Sequence, residues 1–140
     1  MSAATLHAEI VAAMVAAGFT SSPTTLEAAR IANTGRTTSS VSGHFTIKWP
    51  EGLPVESYTG DKRAMARPKV LIEVLYDLGT DPNAGTGAAL TAGTTIASVL
   101  ADLDVDGRWI AKGPEHTYLD DDRYLVVSVE ADGMFEIDLT

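Results

Sequence analysis

The string DLDVDG at residues 102–107 sets three aspartates at alternate positions before a glycine. A calcium loop opens in this way, because a sharp turn at the glycine lets the carboxylates converge on one ion. Such a loop closes with a bidentate glutamate at its twelfth position. Counted from Asp102 that position is Gly113; Glu115 comes two residues too late, and Gly113-Pro114 would break the helix that should follow. The stretch therefore reads as a helix end at Leu103 and a turn at Asp106-Gly107, with solvated aspartates.

The glycine-rich GTDPNAGTG, residues 79–87, follows an apolar strand pattern and imitates a phosphate-binding strand, loop and helix. Ala88-Ala89 stand after Gly87 where a Walker loop needs Lys-Ser or Lys-Thr. Leu90 occupies the place of a third dinucleotide-fold glycine. The stretch reads as a connecting loop. His7, His44 and His116 are scattered without metal-ligand spacing. Ser42 and His44 lie close in the chain, but neither a nucleophile elbow nor a triad pattern accompanies them. Asp120, Asp121 and Asp122 cannot all reach one ion from an extended chain, so they read as a solvated turn. No catalytic residue, cofactor or metal is expected.

The elements that carry these residues belong to one domain spanning residues 1–140, long enough for a real core. A net charge of −9 argues against a surface built to grip phosphates. Cysteine is absent, which excludes disulfides and thiolate chemistry. The N-terminal stretch has Glu9 in its middle and no basic flank, unlike a signal peptide or a membrane span. A soluble, unexported chain is expected.

Leu6, Ile10 and Met14, with Val11 and Val15 beside them, recur at helical spacing and predict a helix over about 5–17, with Thr5 as N-cap and Gly18 as C-cap. Residues 20–43 are rich in Ser, Thr and Gly and read as a long loop holding at most a short helical turn at LEAARIA. HFTIKWP alternates as a half-buried strand. Residues 50–67 read as an extended hairpin tip or mobile arm that projects. In the next strand Val70, Ile72, Val74 and Tyr76 share one face and Leu71 and Leu75 the other, predicting a central strand covered on both sides. A second helix is expected from residue 88, with Leu90, Ile96, Val99, Leu100 and Leu103 on its core side. The last third is strand-rich: Leu125, Val127 and Val129 face one way, and Asp132-Gly133 is either a hairpin turn or a bulge in one long strand. The fold class is α+β, two helices packed on one mainly antiparallel sheet of about four to five strands, with a projecting arm.

Taken in order, LHAEIVAAMVAAGF, GHFTIKWP, the arm, RPKVLIEVLYDL, AALTAGTTIASVLADL and DDDRYLVVSVEADGMFEIDL resemble the tail terminator (tail completion) proteins of long-tailed bacteriophages. The resemblance covers most of the chain and lies in order and texture rather than in an invariant motif. It implies a virion protein of the tail neck, assembled in the host cytoplasm. Six copies would form a ring at the head-proximal end of the tail tube, ending tube polymerisation and offering a face to the head-completion protein. DNA would pass through without being held, and no membrane is involved. The alternatives are another neck or head–tail connector component, or a small ligand-binding domain or enzyme. In this acidic chain the basic residues Lys62, Arg63 and Arg67 are the candidates for an assembly contact.

Overall fold

The computed structural model describes residues 2–36, 41–60, 62–79, 81–103 and 107–139. The long strand β8 (Tyr124–Asp138) is the spine of a mainly antiparallel sheet. Along one edge of β8 run β4 (Arg63–Ala66) and β5 (Lys69–Asp77), and along the other β6 (Gly107–Ala111) and β7 (Glu115–Leu119). The hairpin partner β3 (Val55–Gly60) lies outside β4. Outside β5 lie β2 (His44–Lys48) and the short parallel strand β1 (Thr20–Ser21).

The residues at 131–133 form neither a hairpin turn nor a bulge in β8. Ala66 faces Phe135 and Lys69 faces Asp132, so the register from β4 to β5 is unbroken. The irregularity lies in the neighbour: between Ala111 opposite Ala131 and Glu115 opposite Ser128, residues 112–114 face only 129 and 130. Lys112-Gly113-Pro114 is thus a bulge, where proline removes a ladder donor. Gly133 is needed where β8 passes the aromatic rings, since a Cβ there would sit 2.7 Å from both Phe135 and Trp109.

One face of the sheet carries the main core. Val70, Ile72 and Val74 from β5 and Leu125, Val127 and Val129 from β8 meet α1 (Ala3–Ala16) and α3 (Pro82–Asp102) there. Helix α1 buries Leu6, Ile10 and Met14, the stripe expected from spacing. Its N-cap is Ser2 rather than Thr5: the Ser2 Oγ accepts from the Thr5 N–H at 3.1 Å. It ends at Gly18, at φ 101°, where Phe19 N–H reaches the Met14 carbonyl and Gly18 N–H that of Val15, a Schellman closure.

Helix α3 begins at Pro82, capped by Asp81, six residues before the expected start. Proline at a helix start costs no hydrogen bond, so Gly85 and Gly87 lie inside the helix and the phosphate-loop alternative has no loop to act through. Gly85 and Gly93 allow close approach, since a Cβ would meet Leu78 at 2.6 Å and Pro114 at 2.8 Å, respectively. Ile96 and Leu100 are buried as expected, but Leu90 points outward. By length and composition α3 is apolar enough to cross a membrane, yet it lies on the sheet and buries Ala89, Ala92, Gly93, Ile96 and Leu100.

The class is α+β as the sequence indicated, with a sheet of eight strands and a third helix among the described residues. That helix, α2 (Leu26–Asn33), lies where LEAARIA reads as a short helical turn, and runs to about two turns within a stretch that otherwise reads as a long loop. Thr25 caps it, and its amphipathic face closes a second small core on the opposite side of the sheet, with Val41, Leu75, Tyr124 and Val126. Of the expected arm, residues 63–66 belong to the sheet as β4, where Ala64 and Ala66 are fully buried. Small alanines gave too weak an alternation to mark a strand.

Candidate assembly surface

The C-terminal half of α2 is tied down by groups most of which the sequence did not single out. Asn33 is buried and donates its Nδ2 hydrogens to Asp77 Oδ2 at 2.9 Å and to Tyr124 Oη at 3.1 Å. Asp77 also accepts from the Gly79 N–H at 2.9 Å and pairs with Arg123 at 3.3 Å. Burial works against the charge on Asp77, but the Gly79 N–H, Arg123 and Asn33 outweigh it and hold its pKa below the usual aspartate value. Arg123 turns its other N–H groups to the carbonyls of Asn33, Thr34 and Arg36, placing a cation at the C-terminus of α2. Arg30 on the same helix pairs with Asp120. Nothing in residue spacing marks this cluster, because its members come from three segments far apart in the chain.

With α2 fixed over one end, the rest of that sheet face is bare among the described residues. Its side chains alternate with the core positions: Ser128, Glu130, Asp132, Met134, Glu136 and Asp138 from β8, beside Leu71 and Glu73 from β5. The charges are stitched together across strands. Lys48 pairs with Glu73 at 2.9 Å, Lys69 with Glu130 at 3.2 Å, Lys112 with Glu130 and Asp132 at 3.5 Å, and Arg63 with Glu136 at 3.0 Å and Asp138 at 3.3 Å. Each exposed pair contributes only about 0–1 kcal/mol, so together they mainly neutralise the face. Ile110, 60 % exposed, lies among them on β6.

The three basic candidates do not act as one cluster. Arg63 is engaged within its own sheet, by Glu136 and Asp138. Arg67 is exposed beside Pro68 where β4 gives way to β5, and its backbone N–H is held by the Pro54 carbonyl. Lys62 is exposed in the turn between β3 and β4 at φ 58°, its carbonyl accepting from the Leu139 N–H at 2.7 Å.

The other groups weighed from the sequence are placed as follows. Ser42 Oγ accepts the Asp77 backbone N–H at 3.0 Å, a structural contact. His7 Nδ1 accepts from Trp49 Nε1 at 2.9 Å, while His44 and His116 lie on different strands. Asp120, Asp121 and Asp122 form an exposed turn with φ of 53°, 54° and 67°. Asp104 and Asp106 of the calcium-like string lie outside the described residues. Among the described residues no three His, Asp or Glu side chains converge as metal ligands. Between α2 and the sheet lies an open cleft of about 710 Å³, with Leu75, Leu119 and Val126 as an apolar floor and the paired Lys48 and Glu73 at its rim.

No protein-family model matches the chain, and no curated protein matches it. Among solved structures, it is similar to a chain described as "Virion of native gene transfer agent (GTA) particle", at 14% identity. The superposition covers 72% of this chain and 74% of that one, with a TM-score of 0.48. A likeness below 0.5 at that identity carries no weight for function, so the reading below rests on this chain's own residues.

Proposed function

We propose that the chain is a structural virion protein, a tail terminator of a long-tailed phage. Copies form a ring, six in number, on the head-proximal end of the tail tube, where they stop tube growth and present a face to the head-completion protein. The observation that carries this reading is the half-bare sheet. Among the described residues one broad face has helix only at one end, and the remainder is ion-paired, suited to a protein neighbour rather than to a reacting substrate. The order of elements that resembles the tail terminators supports the same reading. In a ring, the acidic excess of the chain lets a polyanion pass a repulsive wall without sticking.

The test is assembly. Purified protein should form rings by light scattering and negative-stain microscopy, and should stop elongation when added to growing tail tubes. Capture of portal-side proteins but not tube would assign it to another neck component, and a monomer that caps nothing would overturn the reading. At the contact with the tube, Lys62 is the basic candidate whose charge is not engaged by an ion pair among the described residues. Lys62→Glu should leave the fold intact by circular dichroism and weaken tube capping, more at low salt where repulsion is less screened. Capping equal to the parent's at low ionic strength would remove Lys62 from the contact.

A further inference from the structure

The helical layer on the other side of the sheet is nearly free of charge. Helix α1 carries Glu9, and α3 carries Asp102 at its last position; neither helix has any other Asp, Glu, Lys or Arg. Their outward residues are mainly alanines, threonines and serines, with His7 on α1, Pro82, Asn83 and Gly87 in the first turns of α3, and two large apolar side chains, Val15 at 51 % and Leu90 at 57 % exposure. A solvated helix face ordinarily carries charges, whereas the centre of an interface is depleted of them. On the opposite face of the sheet Lys48, Arg63, Lys69, Arg108 and Lys112 stand among a similar number of carboxylates, most of them paired, around Ile110. Both broad faces are thus close to neutral in a chain of net charge −9. Among the described residues, exposed carboxylates outside these ion pairs cluster at the rim where β5 ends and β8 begins, at Asp81, Asp121 and Asp122, with Glu115 the one such group on the sheet face.

We infer that copies of this chain stack face to back, the α1–α3 layer of one on the bare sheet of the next. Like-charged copies repel wherever their rims meet, so the two neutral faces are the surfaces on which they can close. The faces are two different patches, as a heterologous contact requires, and such a contact gives a ring when the rotation between neighbours closes. The areas also suffice. Helices of 14 and 21 residues are about 21 and 31 Å long and each about 10 Å wide, giving about 500 Å² a side and about 1,000 Å² for the contact, the size at which a specific interface holds. Stacked in this way, the exposed turn with Asp121 and Asp122 lies at the rim of the contact, open to the lumen or the outside.

This inference rests on the ring reading, and its test separates the two. One variant, Leu90→Glu with Thr94→Glu, charges the helix layer; another, Ile110→Glu with Thr117→Glu, charges the sheet face; all four positions are exposed. Each should fold by circular dichroism and run as a monomer under conditions where the parent forms rings. An equimolar mixture should give dimers and nothing larger, because only one intact contact can form between the two variants. Rings from either variant alone, dimers from the sheet-face variant alone, or no dimers in the mixture would overturn the stacking while leaving the ring reading in place. A parent chain that stays monomeric, including one that instead binds phosphatidylcholine vesicles, would overturn both.

Discussion

Asn33 and Asp77 carry more of the fold than their types suggest, because each is a polar group buried with all its partners in place. Asn33→Ala leaves Asp77 and Tyr124 each short of a partner, and should cost about 2 kcal/mol in chemical denaturation, within the range for orphaned buried groups. Asp77 also makes a prediction in pH. Its folded pKa is lowered, so the stability it contributes is fully present above the unfolded aspartate value of about 3.9 and is lost as pH falls through the lower folded value. The stability gap between the parent and Asp77→Asn should be widest near neutral pH and shrink on acidification below about pH 4. A gap that stays constant down to pH 2 would show that the carboxylate's charge does not matter.

At the scale of elements, the close crossing of α3 over the β6–β7 bulge depends on Gly93 meeting Pro114. A Cβ at Gly93 would lie 2.8 Å from the Pro114 ring, which cannot swing aside as a flexible side chain can. Helix propensity alone would favour Gly93→Ala by about 1 kcal/mol, but the overlap should reverse the sign and give a net loss of about 1–3 kcal/mol. Gly87→Ala on the same helix meets nothing within 4 Å and should stabilise instead. Opposite signs for the two alanines in thermal melts would confirm the crossing; the same sign would contradict it.

For the whole molecule, β5 and β8 form the plane on which both cores are built. Ile72 is fully buried opposite Val129 and contributes to the α1–α3 side. Ile72→Asp places a carboxylate there without a partner and should cost more than about 4 kcal/mol, enough to remove soluble folded protein. Arg63→Glu replaces half-exposed ion pairs by like-charge contacts and should cost far less, about 1 kcal/mol. Equal soluble yields of the two would be incompatible with a central β5.

The sequence by itself determined what rests on local spacing. The α1 stripe, the two-sided β5 and the inward Leu125, Val127 and Val129 follow from periods of 3.6 and 2, which a single strand or helix must obey to bury one face. Tertiary structure alone decided what depends on partners distant in the chain. The short segment 26–33, set in a Ser- and Thr-rich stretch, became α2 because Leu75, Tyr124 and Val126 offered it a floor and Asp77 and Arg123 took its last polar groups. The alanines of 63–66 became a strand because β8 extends past β5 and leaves its ladder groups to be paired. Which face stays bare was fixed in the same way. Alternation marked the inward side of β8, but only the packing of α2 over one end determined how much of the other side is left for a neighbour.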